Sequence, residues 1–317
     1  MSADEAVRVA AVQAAPVFLN RDATVGKAVA LIEQATGQGA RLVVFPEAFV
    51  PAYPEWVWRL TPWEPRAADL HARLYEQSVV VGGPETDALA EAARRGEAYV
   101  SIGVNERLER GTTLFSTQLT FGPDGTLVAQ HRKLMPTGAE RLVWGMGDGS
   151  SLEVVDTPVG RLGTLTSWET YMPLARAALY AQGIDVYLAP TWDSSDVWLA
   201  TLRHVAKEGR VYVVGANSSI RAGDVPADVP YREDLYGSAD EWLTLGNSAI
   251  VGPDGEVLAG PLSREEGILY AEVDPRAART SRHQFDPVGH YARPDVVRLV
   301  VDTSARPPVS FSATDAG

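Results

Sequence analysis

Four side chains sit where acid–base or nucleophilic chemistry could be done. Glu47 ends the apolar run Leu42-Val43-Val44-Phe45-Pro46-Glu47, and Lys133 stands in His131-Arg132-Lys133-Leu134-Met135-Pro136-Thr137. Glu140 follows in Gly138-Ala139-Glu140-Arg141, ahead of Trp144-Gly145-Met146-Gly147-Asp148-Gly149. Ser167 is at the apex of Thr164-Leu165-Thr166-Ser167-Trp168-Glu169-Thr170-Tyr171-Met172-Pro173-Leu174. That stretch reads as a strand, a sharp turn and a helix. A side chain at such an elbow projects from the end of a strand beside the free N–H groups of a helix start, a good place for a nucleophile. A carboxylate can take the nucleophile's proton, and an ammonium can offset negative charge that develops later. Taken singly, each residue has an ordinary explanation. A Glu after a strand or a Lys after a hairpin is usually solvated, and a Ser before a helix is usually a cap.

The surrounding elements must bring these residues together. Residues 7–14 are a short, nearly continuous apolar run that suits a buried strand. Asp22 is placed to cap the next helix, in which Val25, Ala28, Val29, Ile32 and Ala35 recur at three- and four-residue spacing, and Gly37 and Gly39 close it. Residues 41–45 make the next strand. A strand–helix–strand unit implies parallel strands with a right-handed crossover, and puts Glu47 at a strand's carboxyl end, where open α/β sheets gather ligands. Helices are expected over 67–77 and 86–95, and a strand over 98–104. Gly122-Pro123-Asp124-Gly125 is a turn between strands at 114–121 and 126–130. Gly252-Pro253-Asp254-Gly255 repeats the device between 247–251 and 256–259. In the second half, strands are expected at 152–156, 184–189, 211–216 and 268–273, with helices after the elbow and over 197–208. Two strand–helix–strand units and two hairpins suggest an α/β fold of two similar halves. No linker or charge block interrupts the chain, so residues 1–295 are expected to form one domain. Residues 296–317 make a tail placed to reach a neighbouring subunit.

Bulk properties exclude several classes. The 317 residues can bury a large core, and the net charge of -13 disfavours nucleic acid and anionic membranes as partners. No apolar run reaches about 18 residues, so no membrane span is expected. The acidic start Met1-Ser2-Ala3-Asp4-Glu5 runs straight into a strand and lacks a secretory pattern, which suggests a cytoplasmic protein. The chain has no cysteine, which rules out disulfides, thiolate metal sites and a cysteine nucleophile. The His residues lack the spacing of metal ligands.

Together with the run from Phe285 to Pro294, these motifs resemble those of the nitrilase family in family order, from the first strand to around Pro294. In that family the elbow reads Cys-Trp-Glu followed by Asn-Tyr-Met-Pro-Leu, with the cysteine as nucleophile. Here Ser167 replaces the cysteine and Thr170 the asparagine. The Trp168-Glu169 pair is more similar to nitrilases proper than to the amidase and carbamoylase branches. The resemblance implies a four-layer α–β–β–α sandwich of two pseudo-symmetric halves. It also implies a small-molecule nitrile substrate, no metal or organic cofactor, and a homodimer or larger spiral homo-oligomer. In the implied reaction a thiolate attacks the nitrile carbon to give a thioimidate, water adds, ammonia leaves, and a second water releases the acid. The same resemblance makes Glu47 the general base and Lys133 the stabiliser of developing negative charge beside the Trp168 N–H. Glu140 then positions Lys133 and substrate. Two carboxylates and an ammonium in one desolvated site should titrate together. Tyr53, Trp58, Trp144, Trp168 and Trp192 lie in or near the motif loops. As pocket walls they point to an aromatic or arylaliphatic nitrile. The alternative makes several of them core or interface.

Ser167 sets a conflict. A serine hydroxyl is a far weaker acid than a thiol and a poorer nucleophile toward a nitrile carbon, and no Ser-His-Asp arrangement is evident to compensate. Little or no nitrile hydrolysis is therefore expected of the chain as it stands. Either a cysteine has been exchanged for serine, or this is a non-catalytic binding protein on the same fold. An amidase of the same superfamily is a further alternative. Retention of Glu47, Lys133 and Glu140 favours the exchange, because partly buried charges destabilise a fold that has no use for them.

Overall fold

A computed structural model describes residues 6–307. The acidic start at 1–5 and the end of the expected tail, 308–317, lie outside the described residues. In chain order the first half contains β1 (Val7–Gln13), α1 (Arg21–Gly37), β2 (Leu42–Val44), α2 (Pro65–Gln77), α3 (Pro84–Gly96), β3 (Tyr99–Arg107), β4 (Leu114–Phe121) and β5 (Leu127–Arg132). The second contains β6 (Val154–Thr157), β7 (Gly160–Thr164), α4 (Pro173–Ala181), β8 (Val186–Thr191), α5 (Asp196–Gly209), β9 (Tyr212–Asn217), β10 (Ser219–Arg221) and α6 (Arg232–Tyr236). It closes with β11 (Trp242–Val251), β12 (Val257–Ser263), β13 (Gly267–Val273) and α7 (Pro275–Ser281).

Side-chain alternation along the strands builds the layers. On β1, Val7, Val9 and Ala11 pack with Leu42 and Val44 of β2 against Val186, Leu188, Val214 and Ile250 of the other sheet. The intervening Ala10 and Val12 face α1 and α3 through Ala28, Ile32, Leu89 and Ala92. On β8, Val186 and Leu188 point between the sheets, while Tyr187 and Ala189 meet Leu179 of α4 and Trp198, Leu202 and Val205 of α5. Strands buried on both faces need apolar side chains on both, hence the near-continuous apolar runs. The result is the expected helix–sheet–sheet–helix sandwich.

The sheets repeat one plan. β1, β2 and β3 are parallel, then β4 and β5 follow antiparallel. Likewise β7, β8 and β9 are parallel, then β11 and β12 pair antiparallel. The halves interlock because β13 returns to the first sheet and pairs antiparallel with β1.

Some expectations are corrected. Asn20, not Asp22, caps α1: its side chain accepts the Ala23 N–H at 3.1 Å. Asp22 lies inside the first turn, where a carboxylate can still favour the helix dipole. At the elbow the expected order of strand, turn and helix holds. A 3₁₀ turn, Ser167–Tyr171, intervenes, and α4 begins at Pro173, a residue suited to a first helical position. The segment between β9 and β11, with β10 and α6, carries no strong period and was not foreseen. In the described part of the tail Val296, Val297 and Val300 are exposed, and the Arg306 N–H donates to Asp148 Oδ2 at 2.6 Å. Among the described residues no helix is long and apolar enough to cross a membrane.

Candidate active site

Glu47 owes its position to a glycine on the neighbouring strand. After β2 the chain continues along β3, with Phe45 N–H donating to Ser101 O and Val50 N–H to Gly103 O. A Cβ on Gly103 would lie 2.3 Å from Pro46 O and 2.4 Å from Ala48 N, so only glycine admits this approach. The Glu47 side chain is thereby buried, 1% exposed.

Lys133 leaves the end of β5 with its N–H on Ser116 O at 2.8 Å. Its carbonyl accepts the Gly147 N–H, also at 2.8 Å. Gly147 is required there because a Cβ would sit 2.2 Å from Arg132 O, which explains part of the Trp-Gly-Met-Gly-Asp-Gly run. Lys133 Nζ then donates to Glu47 Oε1 and to Glu140 Oε2, both at 2.7 Å, in a fully buried cluster. Glu140 is fixed by the 3₁₀ turn Gly138–Leu142, where its Oε2 accepts the Thr137 N–H at 2.5 Å in a capping box. Tyr53 OH donates to Glu140 Oε1 at 2.7 Å, and Trp58 Nε1 donates to Tyr53 OH at 3.1 Å. The Trp144 ring stands behind the ammonium, its centroid 5.6 Å from Nζ, and its own Nε1 donates to Asn105 Oδ1 at 2.9 Å.

The electrostatics follow from this burial. Desolvation pushes the Glu47 carboxyl up; Lys133 opposes that and Glu140 adds to it, leaving the pKa at about 7. Burial alone would lower the Lys133 pKa, but Glu47 and Glu140 outweigh it and hold the ammonium charged. Burial, with Glu140 and Glu47 nearby, keeps the Tyr53 hydroxyl protonated. Glu47 Oε1 takes the bonds from Lys133 and, at 3.3 Å, Ser116 Oγ, whereas the buried Oε2 has no partner among the described residues.

Ser167 comes from the other sheet. It sits beyond β7 with φ +53°, in the left-handed region that a non-glycine residue seldom occupies without a local reason. Its hydroxyl accepts a hydrogen bond from Thr191 Oγ1 at 3.1 Å. The elbow is tied to the Lys133 segment by one carboxylate. Glu169 accepts from Thr166 N–H at 2.6 Å, from His131 Nε2 at 2.9 Å and from Leu134 N–H. Burial disfavours protonation of His131, but Glu169 and then the Ser151 carbonyl outweigh it, so its pKa is raised.

The structure thus brings Glu47, Lys133 and Glu140 into one ion-paired cluster and links the Ser167 elbow to it through Glu169. Tyr53 stands against Glu140 and Trp144 against Lys133, while Trp58 and Trp192 pack on Tyr53. Tyr53 is stacked on Trp192 with centroids 4.4 Å apart and planes 6° from parallel. Trp168 lies apart from them, 50% exposed, with Nε1 on Asp193 Oδ2 at 2.9 Å and its ring edge-on to Tyr171. Sequence reasoning assigned no role to Glu169, His131, Ser116 or Thr191. For Glu169 a signal existed, since Thr166-x-x-Glu169 has the spacing of a capping box, as does Thr137-x-x-Glu140.

A four-layer sandwich with this buried Glu-Lys-Glu cluster defines a class, and comparison agrees: residues 8–283 match the carbon-nitrogen hydrolase family. The chain belongs to that family, within the nitrilase superfamily. It is similar to the aliphatic nitrilase of Sinorhizobium fredii, 46% identical over 298 residues that cover 93% of this chain and 95% of that protein. It is also similar to the bifunctional nitrilase/nitrile hydratase NIT4B of Nicotiana tabacum, 42% identical over 99% of this chain and 91% of the relative. Among solved structures, the carbon-nitrogen hydrolase from Helicobacter pylori superposes with a TM-score of 0.72 at 22% identity, covering 92% of this chain and 97% of that one, which speaks for the fold.

Proposed function

We propose that this site serves hydrolysis of a nitrile to a carboxylic acid and ammonia, with Glu47, Lys133, Glu140 and position 167 as the reacting set. The observation that carries this reading is Glu47: buried, held through one oxygen by Lys133, and free at the other, with a pKa of about 7. Such a carboxyl can both accept and return a proton near neutral pH. With a cysteine at 167, Glu47 takes the thiol proton and the sulfur attacks the nitrile carbon. Lys133 offsets the negative charge growing on nitrogen, and the proton goes on to that nitrogen. Glu140 keeps Lys133 aimed. Glu47 next deprotonates the incoming water and passes the proton to nitrogen; ammonia leaves a thioester, and a second water, again deprotonated by Glu47, releases the acid while sulfur regains its proton.

With Ser167 the first step lacks a base strong enough, so the chain as it stands is close to inactive. Its identity to nitrilases over almost its whole length, along with the intact charge cluster, favours a catalytic design over a binding protein. An arylaliphatic nitrile suits the aromatic side chains around Glu140. A second reading, an aliphatic nitrile, draws support from the Tyr53–Trp192 stack, in which each ring covers a face of the other. Trp168, Tyr171, Met172, Leu174 and Val197 leave exposed apolar surface around the elbow and the starts of α4 and α5, which suits pairing with a second copy.

The test is ammonia release from aromatic, arylaliphatic and aliphatic nitriles and the matching amides, by this chain and by Ser167→Cys. Turnover of nitriles by the cysteine form alone supports the proposal, and the panel ranks the substrate classes. A folded cysteine form inert on every nitrile overturns it. Activity on amides only would make the protein an amidase.

A further inference from the structure

Thr191 ends β8 and is 1% exposed, next to the elbow of the neighbouring strand β7. Its hydroxyl has two partners. It accepts the Asp193 N–H at 2.9 Å and donates its own proton to Ser167 Oγ at 3.1 Å. The loop that follows is pinned on several sides. Asp193 Oδ2 accepts from Trp168 Nε1 at 2.9 Å, and Asp193 O accepts from Asn217 Nδ2 at 3.0 Å. Asn247 Nδ2 donates to Ser194 O at 2.5 Å. A β-branched residue with little χ1 freedom, at the end of a strand whose following loop is tied down at three points, holds its donor in a fixed direction.

We propose that Thr191 is a further catalytic residue, whose hydroxyl donates a hydrogen bond to the nucleophilic atom at position 167 and favours its anionic form. The inference rests on the nitrilase reading of that position. Glu47 removes the proton, and Thr191 stabilises the charge left behind, since a hydrogen bond to an ionised acceptor is stronger than one to a neutral acceptor. The same bond bears on the product. After water adds to the thioimidate, one carbon carries oxygen, nitrogen and sulfur. If the C–N bond breaks with a proton delivered to nitrogen, ammonia departs and a thioester remains on its way to the acid. If the C–S bond breaks, its electron pair stays on sulfur as thiolate and the amide departs. A donor aimed at sulfur eases the second route, so Thr191 raises the amide share.

The test uses the full chain as Ser167→Cys, alone and combined with Thr191→Val or Thr191→Ser. Alkylation of the thiol by iodoacetamide, followed against pH, needs no nitrile. Thr191→Val is expected to raise the midpoint of that profile by about one pH unit, so alkylation well below the midpoint slows about tenfold. Thr191→Ser, which keeps the donor, should leave the midpoint near that of the Ser167→Cys parent. Where amide forms alongside acid, its fraction should fall in Thr191→Val and persist in Thr191→Ser. An unchanged midpoint in Thr191→Val overturns the proposal, as does an equal shift in Thr191→Ser. If the midpoint shifts as expected but no form hydrolyses any nitrile, the role of Thr191 stands and the nitrilase reading fails.

Discussion

The two halves of the sandwich share a plan but bring different things to the site. From the first half come the three charged groups: Glu47 beyond β2, Lys133 beyond β5 and Glu140 in the turn that follows. The second half contributes a strained residue and hydroxyls, Ser167 beyond β7 and Thr191 at the end of β8. Burying charge and straining backbone both destabilise a fold. Each half carries some of both, since Ala48 beside Glu47 also has a positive φ of +48° and Glu169 beside the elbow is buried. Glu169 spans the gap, accepting bonds from Thr166 on its own side and from His131 and Leu134 on the other. Duplicated architecture does not imply duplicated chemistry. What differs is the type of residue placed at equivalent strand ends.

The largest effect is expected in the charged half. Lys133→Ala leaves two buried carboxylates facing each other with no cation, so it should destabilise the protein by about 3–5 kcal/mol. Urea unfolding measures this; a loss below about 1 kcal/mol would mean the cluster is not the buried pair described. Next comes the joint. Glu169→Gln puts an amide donor where at least one of three N–H donors points, which should cost about 1–3 kcal/mol. In a Ser167→Cys background it should lower kcat more than it raises KM, because the elbow loses its register to Lys133. If specific activity per folded molecule stays unchanged, the joint is merely structural.

A third prediction sharpens the electrostatics. The Glu47 pKa is raised from an ordinary 4.5 to about 7 in the folded chain. Between these values the folded state binds more protons than the unfolded one, so the contribution of Glu47 to stability is complete below 4.5 and is lost as pH rises through 7. Glu47→Gln should remove that decline. Tm measured across this window should therefore fall more steeply in the parent than in the variant, and parallel curves would contradict the assignment. The smallest effect is expected at the rim. Trp58→Phe removes a single neutral hydrogen bond to Tyr53 and should change stability by about 1 kcal/mol, read by the same unfolding experiment.

Much of the fold was legible because alternation and turn chemistry are local. The two Gly-Pro-Asp-Gly turns and the apolar runs of β1, β8 and β9 announced two α/β halves before any contact was known. The charged residues stood out through their motifs and through the family those motifs resemble. What stayed hidden depends on contacts distant in sequence. The bond from Thr191 to Ser167 joins adjacent strands 24 residues apart, and the bond from Glu169 to His131 crosses between sheets over 38 residues. Gly103 looks like an ordinary strand glycine until the chain at Pro46 is laid against it. Asp22 precedes the apolar period and so suits a cap, but Asn20 two residues earlier reaches the free N–H.

The proposed reaction depends on a base from the first half serving a nucleophile from the second. Its most direct test is ammonia release from a nitrile by Ser167→Cys, compared with the same protein carrying Glu47→Gln, across pH 5–9. Activity in the first should rise with pH through about 7, following the Glu47 carboxyl, and the second, while it remains folded, should lose about a hundredfold or more. Equal activity in the two, with the same pH profile, would contradict it.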